Sequence, residues 1–238
     1  MCFSQKYSAT FAILGIISLY VLKKYPNKGH NLLYIPVIFY TVMEILQTIQ
    51  YSYVNNCNTT NRILTEISYV LVIVQPVMWN LVFLFKDRKN PLNSFHKGIL
   101  YCGIILCGVW MSAHIMRRFK VFSEYNPSTT KKNTNEIATG SQTCTFKERN
   151  EHLYWNYEMF SNPGMDANWF MYLALWFIPG LLIPGEKLTI ITLLLGFLAS
   201  YAYVKYNNHN KHITPSLWCL SSGPTLTLNV LLFVLLGL

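Results

Sequence analysis

The chain has 238 residues, of which 52% are apolar, 15% aromatic and only 12% charged, and its formal net charge is +9. Soluble domains average about 25% charged residues, so this composition excludes an ordinary soluble globular protein and reads as a membrane protein. The basic excess does not make it a nucleic-acid binder. Its Lys and Arg gather at the ends of apolar runs and in one long loop, where orientation signals sit.

Seven apolar runs reach or approach the roughly 20 helical residues that a bilayer needs. They lie at residues 7–22, 31–50, 63–85, 98–116, 167–183, 188–206 and 215–236. Lys23 and Lys24 follow the first at once with no small-residue cleavage site, so it reads as a retained helix rather than a removed signal. The fifth is short and carries two Pro-Gly pairs, fit to kink it or to start a tight turn. The expected fold is all-α: a seven-transmembrane-helix bundle forming one polytopic membrane domain over 1–238. A long polar loop at 117–166 joins the fourth and fifth helices. Only helices satisfy their own backbone polar groups in single spans of this length.

Basic residues set the orientation. Lys23, Lys24, Lys28, Lys86, Arg88, Lys89, Lys97 and Lys187 fall on one side, against Lys6, Arg62, Lys205 and Lys211 in the short segments of the other. The long loop adds Arg117, Arg118 and Lys120 near the membrane on that second side. The expectation is an N-terminus lumenal or outside and a C-terminus cytosolic. On the lumenal side Asn58-Thr59-Thr60 forms a glycosylation sequon, and Cys57 and Cys144 are placed to pair in an oxidising compartment. Cys102 and Cys107, inside the fourth run, read as apolar packing residues.

The loop is rich in Asn, Thr and Lys up to about Gln142, which points to disorder. Residues 151–160, EHLYWNYEMF, are aromatic-rich. They read as an interfacial anchor, with a lid over the bundle as the alternative.

The second run is singled out by Glu44, read as the sole carboxylate deep inside an apolar segment. On a 3.6-residue repeat Thr41, Glu44, Gln47, Thr48 and Tyr51 share one face. A charge in hydrocarbon costs at least about 2.5–3.5 kcal/mol, so such a residue faces a bundle interior or a wet cavity. His114, Cys219 and Cys2 lie at the same end of their own runs. Three readings follow. Cys2, Glu44, His114 and Cys219 would suit a tetrahedral zinc centre. Glu44, with Gln47 and His114, would pass a proton or a small ion. As structure alone, Glu44 would be hydrogen-bonded within a polar core.

Familiar seven-helix classes do not match. The last run has no lysine for a retinal Schiff base, and the acidic-Arg-Tyr and Asn-Pro-x-x-Tyr signatures of G-protein-coupled receptors are absent. Alkaline ceramidases use several intramembrane histidines where this chain has one. The best functional expectation is an integral, multi-pass membrane protein with a polar pocket of Glu44, Gln47, Thr48, His114 and Trp218 in the lumenal leaflet. It would be a small transporter, channel or ligand sensor, with the bilayer and an unidentified small ion or ligand as its partners. A metal-dependent membrane hydrolase and a non-catalytic structural protein are the alternatives.

Three short features carry a resemblance: Met1-Cys2-Phe3-Ser4 before an apolar helix, a second span bearing Glu44 and Gln47, and Ser216-x-Trp218-Cys219. Together they resemble an uncharacterised multi-span membrane protein family of bacteria, algae and large DNA viruses whose members begin Met-Cys-Phe-Ser. The resemblance implies the helix layout, a host or virion membrane, and importance for Cys2, Glu44 and Cys219. It implies no activity, and it departs at 117–166.

Overall fold

The computed structural model describes residues 4–25, 33–86, 93–119, 142–148, 151–158, 167–183 and 187–207, with single positions 137, 140, 214, 218 and 230. Among them the chain is mostly helical. Six α-helices appear there: α1 Gln5–Lys24, α2 Tyr34–Gln50, α3 Thr59–Lys86, α4 Asn93–Arg118, α5 Trp169–Leu181 and α6 Lys187–Tyr206. Each lies within a few residues of an apolar run read from the sequence. Three of them, Gln5–Lys24, Thr59–Phe85 and Asn93–Met116, are long and apolar enough to cross a membrane. Nearly all of the seventh run lies outside the described residues; Trp218 and Val230 are buried.

Two compact units form: one gathers described residues of 1–61, 145–154 and 188–238, the other those of 62–144 and 155–187. In the first, α1 packs along α2. Ser4 caps α1 by accepting from Tyr7 N–H at 3.5 Å, and Tyr34 Oη donates to Leu19 O at 3.2 Å. Gly15 is needed at the crossing, since a Cβ there would collide with Thr41 Oγ1. Leu22, Val37 and Val230 form a small apolar core below it.

In the second unit α3 and α5 are joined by polar contacts. Tyr172 Oη donates to Gln75 Oε1 at 2.5 Å, and Trp79 stacks on Trp176 with centroids 6.1 Å apart. Asn168 caps α5 by accepting from Phe170 N–H at 2.9 Å. The first Pro-Gly pair does not end α5, which runs through Pro179 to Leu181. The second pair lies outside the described residues.

The loop reading changes most. Its end forms an antiparallel-type hairpin sequence of two strands, β1 Cys144–Lys147 and β2 Leu153–Asn156. Within the aromatic-rich stretch 151–160, residues 153–156 are thus strand, and 159–160 lie outside the described residues. The reason is periodicity: Leu153, Trp155 and Tyr157 are buried, while Tyr154 and Asn156 between them are half-exposed, the period of two that a strand requires. Glu151 takes φ 66° in the connection, and Glu148 N–H donates to His152 O at 2.9 Å. The first turn of α3 holds β1 through Asn61, whose Nδ2 donates to Tyr53 O at 2.7 Å and Thr145 O at 2.9 Å. Asn61 Oδ1 accepts from Thr145 N–H at 2.8 Å, so one buried amide replaces a strand partner.

Candidate functional site

Arg62, Glu66 and Tyr69 follow at intervals of four and three on α3, which puts them on one face. Glu66 Oε2 meets His114 Nε2 of α4 in a hydrogen-bonded ion-pair geometry. His114 is buried and Glu66 about a quarter exposed. The Tyr69 ring stacks on the imidazole, centroids 4.2 Å apart at 20°. Tyr157, just past β2, meets Tyr69 edge-on at 5.0 Å. Arg62 spans the top of the group, with Nε 3.9 Å from Glu66 Oε1 and Nη2 3.8 Å from Glu158 Oε2.

The Tyr157–Glu158 segment is set by its own backbone. Gly140 N–H donates to Tyr157 O at 2.8 Å, and Thr143 Oγ1 accepts from Glu158 N–H at 3.3 Å. A Cβ at Gly140 would collide with the Asn156 side chain, so the approach needs glycine. Tyr157 is 2% exposed. Burial, then the neighbouring Tyr69, Glu66 and Tyr172, push its phenol well above the ordinary tyrosine range. The result is a carboxylate–imidazole pair under two aromatic rings, one of them a phenol held neutral. Such a pair can share and exchange a proton.

The residues expected from sequence are distributed over both units. On α2, in the first unit, Glu44 and Gln47 are buried and Thr48 is half-buried. Thr48 Oγ1 donates to Glu44 O at 2.8 Å, and Thr41 Oγ1 to Val37 O at 2.6 Å, so both hydroxyls serve their own helix. Trp218, also in the first unit, donates from Nε1 to Leu193 O at 2.9 Å and packs edge-on against Phe197. His114 lies in the second unit with Glu66. Cys2 and Cys219 lie outside the described residues, among which no group of three or more His, Cys, Asp or Glu is placed to hold a metal. Cys57 and Cys144 are both disulfide-bonded, and Cys102 and Cys107 of α4 are free. Asn58 is exposed, and its Oδ1 accepts from Asn61 N–H at 2.9 Å at the start of α3.

Glu66 was absent from the sequence reading, which took Glu44 as the sole deep carboxylate. A usable signal existed. Glu66 stands three residues inside the run 63–85 and His114 two residues inside the end of 98–116, so consecutive antiparallel helices bring them to one depth. Arg62, Tyr69, Tyr157 and Glu158 had no such signal, because the hairpin that places the last two was not recognised.

An uncharacterised protein of Acanthamoeba polyphaga mimivirus is 23% identical to this chain over 240 residues, covering 93% of the chain and 91% of the relative. No solved structure matches the chain. The relative agrees with the expectation of an uncharacterised family represented in large DNA viruses. The profile of the family of unknown function DUF5765 matches residues 6–235, nearly the full length, and the chain therefore belongs to that family.

Proposed function

We propose that this is a multi-pass integral membrane protein of a host or virion membrane, with seven spans, a lumenal or outer N-terminus and a cytosolic C-terminus. It acts as a small proton-linked transporter, channel or ligand sensor. The observation that carries the reading is the Glu66–His114 pair, held at one end of two helices of membrane-crossing length. Acid–base pairs at such a depth are costly to keep and mark proton or ion paths.

Multiple spans draw support from α2. Its outward residues Ile38, Val42, Ile45 and Ile49 are 40–47% exposed, while Thr41, Glu44, Gln47 and Gln50 are buried. An apolar stripe outside and polar groups inside is the pattern lipid favours and water penalises. The bonded state of Cys57 and Cys144 supports an oxidising compartment on their side, with the two cysteines as each other's partner and Asn58 as the glycan acceptor. Non-reducing gels after cleavage within 120–143 should keep both pieces together until reductant is added.

The functional test is reconstitution into liposomes carrying an internal pH-sensitive dye. An imposed pH gradient should dissipate faster than in empty vesicles, and Glu66→Gln and His114→Gln should each abolish the difference while remaining folded. Wild-type vesicles no leakier than empty ones, across pH 5–8, would remove proton passage.

A further inference from the structure

We infer that the α1–α2 seam of the first unit binds a small monovalent cation of the sodium class, through oxygen atoms of Ser8, Gln47 and Glu44. This is independent of the Glu66–His114 pair and uses other residues. Two contacts bracket the place. At one end Gln5 Nε2 donates to Thr48 O at 3.2 Å; at the other, Gly15 lies against Thr41. Between them the buried residues of α1 are Ser8 and Ala12, and those of α2 include Glu44 and Gln47.

Gln47 is 0% exposed, and among the described residues neither its Oε1 nor its Nε2 has a hydrogen-bond partner; Ser8, also 0% exposed, has an Oγ without a partner among them. A buried polar group left unsatisfied costs about 1–3 kcal/mol, and buried groups in folded proteins are almost always satisfied. Two such groups on facing helices, in one short interval, are what a shared polar occupant would satisfy. Thr41 and Thr48 do not add to the demand, because their hydroxyls bond their own helix.

Chemistry selects the occupant. The Ser8 hydroxyl, the Gln47 carbonyl and the Glu44 carboxylate are all oxygen donors, the set that hard cations take. The carboxylate disfavours an anion. One formal charge neutralises one positive charge, whereas Ca²⁺ and Mg²⁺ sites gather six or more oxygens and usually more carboxylates. The Gly15–Thr41 contact closes the seam at that end, since even a Cβ at Gly15 would collide with Thr41 Oγ1.

The test is thermal unfolding of the purified full chain in detergent, followed by tryptophan fluorescence in NaCl, KCl or choline chloride at equal ionic strength. NaCl should raise Tm over choline chloride with a saturating dependence, by about 3–6 °C at ten times the dissociation constant. Gln47→Leu, Glu44→Gln and Ser8→Ala should each erase the sodium increment, and the exposed hairpin variant Glu151→Gln should keep it. If Gln47→Leu does not fold, Ser8→Ala, which removes one oxygen and little volume, carries the test. Equal Tm in sodium and choline, as a water-only occupant would give, overturns the site. So does a sodium increment that survives all three folded seam variants.

Discussion

Asn80 Nδ2 donates a hydrogen bond of 2.7 Å to the carbonyl oxygen of Leu175, the acceptor that Pro179, four residues on, leaves without its helical donor. A side chain of α3 thus completes the backbone of α5. The same nitrogen also donates to Pro76 O at 2.8 Å within its own helix. Asn80→Leu should destabilise by about 1–3 kcal/mol, because it strands Leu175 O. Pro179→Ala restores a backbone donor to that oxygen, so the loss from Asn80→Leu should shrink in the double variant. Additive losses in a double-mutant cycle, read by thermal unfolding, would show that Leu175 O was not the acceptor that matters.

Tyr157, outside the helices, predicts an alkaline response. A tyrosine whose folded pKa is raised contributes stability that is whole below its unfolded value, about 10, and is lost as pH rises toward the folded value. Wild-type protein should therefore lose stability above about pH 10 through this residue. Its Oη has no hydrogen-bond partner among the described residues, so Tyr157→Phe should be neutral or stabilising at pH 7. The variant should also lose less Tm between pH 9 and 11. Identical alkaline slopes for the two proteins would refute the assignment.

Asn61 makes three bonds to backbone with one amide. Asn61→Asp keeps the acceptor and loses both donations, while Asn61→Ala loses all three. Each should cost at least about 1–3 kcal/mol. Hydrogen exchange of Thr145 N–H distinguishes them: it should accelerate strongly in Asn61→Ala and less in Asn61→Asp. Equal protection in both variants would contradict the docking role.

Glu66 and His114 should be coupled. Glu66→Gln and His114→Gln singly should each destabilise, and the double variant should lose less than the sum, with a coupling of about 1–3 kcal/mol. A coupling near zero at pH 6 and pH 8 alike would reduce the pair to adjacency.

Helix positions were legible because apolar runs of membrane length have few other uses; the run at 7–22, for example, lies inside α1 Gln5–Lys24. The polar face of α2 was legible for the same reason, since Thr41, Glu44 and Gln47 recur at helical spacing and are buried. The hairpin was not. β1 is only four residues, CTFK, and its partner β2 was masked by an aromatic content equally suited to a membrane interface. Missing the hairpin hid Tyr157 and Glu158. Ranking carboxylates by depth alone then hid Glu66, whose partner sits at its own level rather than deeper.

The inverted character of α2 bears on how the chain would enter a membrane on the topology proposed above. A helix presenting Glu44, Gln47 and Gln50 along one side partitions poorly into lipid by itself. The preceding α1 offers it a seam of small residues, Ser8, Ala12 and Gly15, with the Gln5–Thr48 bond at its edge. Close helix approach through small residues is how spans associate in lipid. On the multi-span topology proposed above, the physical unit of insertion is then the α1–α2 pair rather than either helix. On that same topology, widening Gly15 by a single methyl would act during biogenesis, as failure of α2 to stay in the bilayer, before any mature structure existed to be weakened.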